Sequence, residues 1–199
     1  MLNSFTFLFM IETGLISTQK SQAKLLFTKA EKRTNELKKI DNFYGLMGEK
    51  AVKDKLREMS ILFNYNEREP NFFEKFREPF DFAISTKDGK YLTLEIKTTK
   101  EYPNHKNLII PEGEWEKSDY TIAVKMLKFE RVEEMEIIGY GAFMGYMNKE
   151  EIERLPLIPA GEYPCSYFAG RAIELIRTHP ISELWNVIDS EAIKWQLNR

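Results

Sequence analysis

The stretch PFDFAISTKDGKYLTLEIKTTK, residues 79–100, holds two β-rich runs, 80–85 and 91–98, on either side of TKDGK. Its Asp88-Gly89 pair is a strong cue for a tight hairpin turn, because glycine takes a positive φ without steric cost. Successive side chains on a strand point to opposite faces. Leu92, Leu94 and Ile96 therefore share one side of the second strand, and Tyr91, Thr93, Glu95 and Lys97 share the other. The apolar trio needs a core, so the two charges face away from it and need not be buried. In the first strand Phe80, Phe82 and Ile84 alternate with Asp81, Ala83 and Ser85. A turn centred on Asp88-Gly89 places Asp81 at the far end of the hairpin, on the strand next to Glu95 and Lys97.

Two carboxylates brought together repel, and burying either is costly unless positive charge compensates it. Lys97 can neutralise one. A hard divalent cation can hold both, and Mg²⁺ in particular takes one or two protein carboxylates while keeping waters and phosphate oxygens as its other ligands. The upstream segment adds a third acid. At about 100° per residue, Val52, Leu56 and Met59 form one helical stripe, and Glu49 is the charge nearest to it. A helix packed on the hairpin by that stripe aims Glu49 towards Asp81 and Glu95.

Composition restricts the chemistry further. The chain has 199 residues, is 43% apolar and contains one cysteine, Cys165, and two histidines, His105 and His179. One full-sized domain fits that length, and no internal disulfide is possible; an intracellular, cytoplasmic setting is expected. Zinc is disfavoured for want of soft ligands, so a metal here would be hard and carboxylate-bound. The apolar start, MLNSFTFLFMIETGLI, lacks a basic leader and is too short for a membrane span, which makes it a strand or packing arm and gives no reason to expect a membrane partner. Net charge is −2, yet residues 20–57 carry eleven Lys/Arg against five Asp/Glu. That asymmetry suits a basic face approaching a polyanion, with a solvated helix surface as the alternative.

Residues 18–60 lack proline and read as one or two helices, with a break expected where Asn42, Gly45 and Gly48 cluster. After the hairpin, NLII is a short edge strand ended by Pro111, and residues 119–127 and 135–144 are two further strands. Asn148 with Glu151 resembles a capping box. SYFAGRAIELIRT and ISELWNVIDSEAIKWQL then read as C-terminal helices separated by Pro180. The fold class expected is α/β bordering on α+β, with a central mixed sheet of four to five strands flanked by helices. Within a single domain, 1–41 forms an arm and helix, 42–147 the core that bears the motif, and 148–199 the C-terminal helices.

Asp81, a hairpin, Glu95-Ile96-Lys97 and an upstream helical Glu49 together resemble the PD-(D/E)XK nuclease superfamily, which includes many restriction endonucleases and archaeal Holliday-junction resolvases. The resemblance covers residues 42–100 by motif and extends more loosely to 144 by strand order. It implies a restriction-endonuclease-like fold and a Mg²⁺-dependent DNA endonuclease, with Mn²⁺ as a substitute ion. By position, Asp81, Glu95 and the backbone carbonyl of Ile96 would ligate the metal and Lys97 would orient or activate water; Glu49 resembles the helical acid of several branches. Phe80 separates Pro79 from Asp81, so the Pro-Asp dipeptide is absent.

The tripeptide E-x-K has no weight alone: about two or three are expected by chance in a chain of this composition, and a second occurs at Glu36-Leu37-Lys38. The conjunction of strand, alternation, turn, Asp81 and Glu49 carries the reading. Lys53, Lys100 and Lys106 are candidate phosphate contacts, with solvated surface as the alternative. Tyr44 and Trp115 are candidates for base stacking, with core packing favoured. Cleavage of both strands of a symmetric substrate points to a homodimer, with the N-terminal segment or the region of Trp185 and Trp195 as contact surface. The competing class is a noncatalytic nucleic-acid-binding or assembly protein that retains the fold. No phosphate-binding loop or dinucleotide fingerprint occurs.

Overall fold

The computed structural model describes residues 12–14, 36–65, 80–100, 107–131, 137–165 and 168–195. The hairpin forms as its sequence directs. Strands β3 (Phe82–Ser85) and β4 (Tyr91–Lys100) pair antiparallel, Ser85 against Tyr91 and Phe82 against Leu94. At the turn Gly89 has φ 81°, and Asp88 Oδ1 accepts the Thr86 hydroxyl at 2.5 Å and the Lys90 N–H at 3.3 Å.

Around this pair stand β1 (Glu12–Gly14), β2 (Phe63–Tyr65), β6 (Tyr120–Arg131) and β7 (Ile137–Asn148). Together they make a six-stranded mixed sheet in the order β1-β7-β6-β4-β3-β2. Only the β4–β6 pair is parallel. The strand count exceeds the expected four to five because β1 and β2, three residues each, extend the edges. Runs that short carry no periodic signal.

Helix α1 (Glu36–Glu58) lies on the Leu94/Ile96 face and continues through Asn42, Gly45 and Gly48, where a break was expected. Gly48 serves close approach instead: a Cβ there would sit 1.9 Å from Thr98 Oγ1. Leu46, Met47, Val52 and Leu56 of α1 share the first core with Phe82, Ile84, Leu94, Ile96, Ile122 and Val124, joined by helix α3 (Ile181–Glu191). Among the described residues no helix is long and apolar enough to cross a membrane.

The opposite face is covered differently. Between β4 and β6 the chain forms β5 (Asn107–Pro111) and a 3₁₀ turn (Trp115–Lys117); β5 joins β8 (Leu157–Ile158) and β9 (Gly170–Glu174) in a three-stranded sheet of order β5-β9-β8. Leu108, Ile110, Trp115 and Ile173 pack there against Ala123, Ala142, Met144 and Met147 of the main sheet. From Phe168 on, the described part of SYFAGRAIELIRT is therefore not an α-helix: it contributes β9 and a 3₁₀ turn (Leu175–Arg177). Gly170 decides this, since a Cβ there would lie 2.5 Å from the Ile110 carbonyl oxygen, and pairing with β5 overrides the local helical preference. Only α3 is helical in the second segment, and Ile193 beyond it donates its N–H to the Ser85 carbonyl. The Asn148/Glu151 capping box is present at α2 (Lys149–Glu153). The architecture is α+β, with α1 and α3 on one face of the main sheet and the small sheet, joined by α2 through Ile152, on part of the other.

Candidate active site

Asp81 sits where the chain enters β3. Its N–H donates to the Leu94 carbonyl at 3.0 Å, and its Oδ2 accepts the Ile96 N–H at 2.7 Å. The carboxylate thus stands in for a main-chain acceptor at the end of the β3–β4 ladder. Carrying the ladder register one residue further sets Asp81 across from Glu95. Burial, then the charges of Glu95 and Glu49, push the Asp81 carboxyl well above the usual carboxylate range; the Ile96 N–H and Lys97 offset only part of this.

Lys97 Nζ lies 2.7 Å from Glu95 Oε1 and 2.6 Å from Glu114 Oε2. These side chains are 21%, 15% and 34% exposed respectively, so the charged pair is mostly buried where the sequence allowed it to stay in water. The 3₁₀ turn, anchored by buried Trp115, brings this cover. Burial raises the Glu95 carboxyl, with Lys97 opposing and Glu114 adding to the rise. For Lys97 burial alone would lower the ammonium, but Glu95 and then Glu114 outweigh it and hold Lys97 above the usual lysine range. Glu49 is half-buried on α1 and accepts the Tyr65 hydroxyl on Oε2 at 2.5 Å.

The structure therefore sets Asp81, Glu95 and Lys97 side by side at the β3–β4 pair, with Glu49 of α1 near enough for its charge to raise the Asp81 carboxyl. The Ile96 side chain is buried in the first core. Lys53 holds its ammonium 4.3 Å from the centre of the Tyr65 ring, which places it beside the partner of Glu49. Lys100 ends β4, but its side chain lies outside the described residues, as do Lys106 and His105. Trp115 and Trp185 are core residues, and Trp185 meets Phe143 edge-on at 5.6 Å; of the two tryptophans proposed as a contact surface, only Trp195 is exposed. Tyr44 packs against the first core, and Cys165 is buried. A separate open pocket of about 390 Å³ lies by the hairpin turn, lined by Asp88, Lys90, Asp119, Tyr120 and Glu191 among others, and none of the expected site residues borders it.

Two participants were missed from sequence. Tyr65 belongs to a three-residue strand. Glu114 follows a turn closed by its N–H to the Pro111 carbonyl, with Gly113 at φ 80°; Pro-Glu-Gly-Glu marks that turn, but no spacing ties it to Lys97.

Among the described residues no three ligand-type side chains stand close enough to enclose an ion unaided. Asp81 and Glu95 nonetheless supply hard oxygen donors in a locally negative setting. That set fits a cation completing its shell with water and substrate oxygens, as Mg²⁺ does. Comparison with protein-family models, with curated proteins and with solved structures finds no match.

Proposed function

We propose that the chain is a Mg²⁺-dependent DNA endonuclease that hydrolyses phosphodiester bonds. The observation that carries this reading is the Asp81 carboxylate, pinned by the Ile96 N–H across from Glu95 with Lys97 alongside. Asp81 and Glu95, with the Ile96 carbonyl, are the groups that would hold the cation. The bound ion would supply Lewis-acid stabilisation of a phosphate oxygen and lower the pKa of water. Lys97 provides a fixed ammonium beside those carboxylates, suited to holding a water in line or to stabilising the developing anion. Glu49 adds negative charge from the helix side, kept in place by Tyr65. Two such sites in a homodimer suit cleavage of both strands, in an intracellular setting.

One observation favours the rival reading of a noncatalytic nucleic-acid-binding or assembly protein: Lys97 is already neutralised by Glu95 and Glu114, as a purely structural ion pair would be. Incubating the protein with plasmid, linear and four-way-junction DNA, with and without Mg²⁺ or Mn²⁺, separates the two. Metal-dependent cleavage that Asp81→Ala and Lys97→Ala abolish is expected. Equal cleavage by wild type and both variants sinks the site assignment, and DNA binding without cleavage by wild type establishes the rival.

A further inference from the structure

Lys97 has three N–H donors and two acid partners within 2.7 Å, and the two come from different layers of the fold. Glu95 is its neighbour on β4. Glu114 hangs from the cover over the second face, between the turn closed on Pro111 and the 3₁₀ turn. The backbone at Glu114 is held on both sides: its N–H goes to the Pro111 carbonyl at 3.1 Å, and its carbonyl accepts the Lys117 N–H at 3.4 Å. The next side chain, Trp115, is buried and lies 4.5 Å beneath the Arg171 guanidinium. Glu114 is thus an acid on an anchored turn, aimed at one ammonium.

Its role follows from a conflict inside the site. Glu95 cannot serve fully as counterion to Lys97 and as ligand to a divalent cation, because the ion and the ammonium compete for the same carboxylate and repel each other. A second, fixed acid on the far side of Lys97 resolves the competition. We infer that Glu114 is a positioning residue: it retains the Lys97 ammonium at the edge of the Asp81/Glu95 site and leaves Glu95 free to ligate metal. This rests on the nuclease reading above and adds a residue to it.

A double-mutant cycle on Mn²⁺ affinity, measured by calorimetry on intact protein, tests it. Glu114→Gln keeps the side chain's shape and removes its charge. Lys97 then falls back on Glu95, and affinity is expected to drop about five- to twentyfold. In a Lys97→Met background there is no ammonium to compete, so adding Glu114→Gln should change affinity less than about threefold. Lys97→Gln, which keeps a donor towards Glu95, supplies a second background for the same comparison. An unchanged affinity in Glu114→Gln alone overturns the inference. So does an equal loss with and without Lys97, which would make Glu114 a ligand or a through-space charge. Wild-type protein that binds neither Mn²⁺ nor Mg²⁺ overturns the nuclease reading and this inference with it, a result distinct from the other two.

Discussion

Gly48 presses its bare Cα against Thr98: a Cβ on that residue would lie 1.9 Å from Thr98 Oγ1 and 3.2 Å from Thr98 Cβ. This contact sets how closely α1 approaches β4, and the next residue on the helix is Glu49. Alanine at 48 gains up to about 1 kcal/mol of helix propensity, while overpacking a dense interior costs about 1–3 kcal/mol. The expected outcome for Gly48→Ala is a net loss of stability and, under the proposed nuclease function, weakened cleavage as α1 lifts Glu49 away from Asp81. Thr98→Ala, which removes the atom in the way, should restore most of the melting temperature in the double variant. A Gly48→Ala protein that melts above wild type would show that the helix has room to spare.

Asp81 predicts a gain of stability on substitution. Its carboxyl is raised in the folded protein by burial, Glu95 and Glu49, so the native state binds the proton more tightly than the unfolded chain. Stability therefore falls as pH rises from the ordinary aspartate value of 3.8 through the raised value. At neutral pH the charge is a net cost. Asn at 81 keeps an oxygen for the Ile96 N–H and drops the charge. In chelator, Asp81→Asn should melt about 2–4 °C higher, on the order of 1 kcal/mol for a chain of this size. Millimolar Mg²⁺ should stabilise wild type by ligand linkage and leave the variant unmoved. An Asn variant that melts below wild type in chelator contradicts the electrostatic account.

Glu151 carries the opposite pH dependence. It accepts the Asn148 N–H at 3.0 Å, and its Oε1 lies 2.6 Å from His179 Nε2. Burial alone would raise its carboxyl, but His179 and the Asn148 N–H outweigh it and hold it below the ordinary value of 4.5. A depressed folded value gives stability that is present above 4.5 and lost as pH falls below it. Glu151→Gln should cost about 0.5–1 kcal/mol at neutral pH, discounted for the partial exposure of His179, and almost nothing near about pH 3. Thermal melts of both proteins across that range check it, and a gap that stays constant with pH would locate the effect in packing.

Local physics made much of this legible. The period of two on β4 separated Leu94 and Ile96 from Glu95 and Lys97, Asp88-Gly89 announced the hairpin, and the stripe of Val52 and Leu56 pointed Glu49 inward. Capping at Asn148 was equally local. What escaped detection depends on contacts between distant residues. Gly48 and Gly170 look like helix breakers or neutral spacers until Thr98 and the Ile110 carbonyl are seen against them. Glu114 stands seventeen positions after Lys97, with β5 and a turn between, so only the crossover to β6 brings the two together. The same crossover buries charges that alternation alone would leave in solvent.

Lys97 sits beside Asp81 in this arrangement yet responds to substitution with the reverse sign. Removing its ammonium as Lys97→Met leaves Glu95, 15% exposed, without its counterion. Breaking a mostly buried pair by deleting one partner costs roughly 3–5 kcal/mol when both groups are dry, and somewhat less at this exposure. A fall in melting temperature of about 5–10 °C at neutral pH is expected. The loss should shrink in acid, because an unpaired Glu95 has a carboxyl raised further and the native state then gains stability by taking up a proton. In wild type Lys97 is raised, so the stability it contributes is present below the ordinary lysine value of 10.5 and fades only as pH climbs past it. Paired melts of wild type and Lys97→Met from acid to neutral pH should converge downward in pH. Curves that stay parallel would mean that the pair adds packing and no electrostatic stabilisation, and would remove the reason for keeping Lys97 charged between two glutamates.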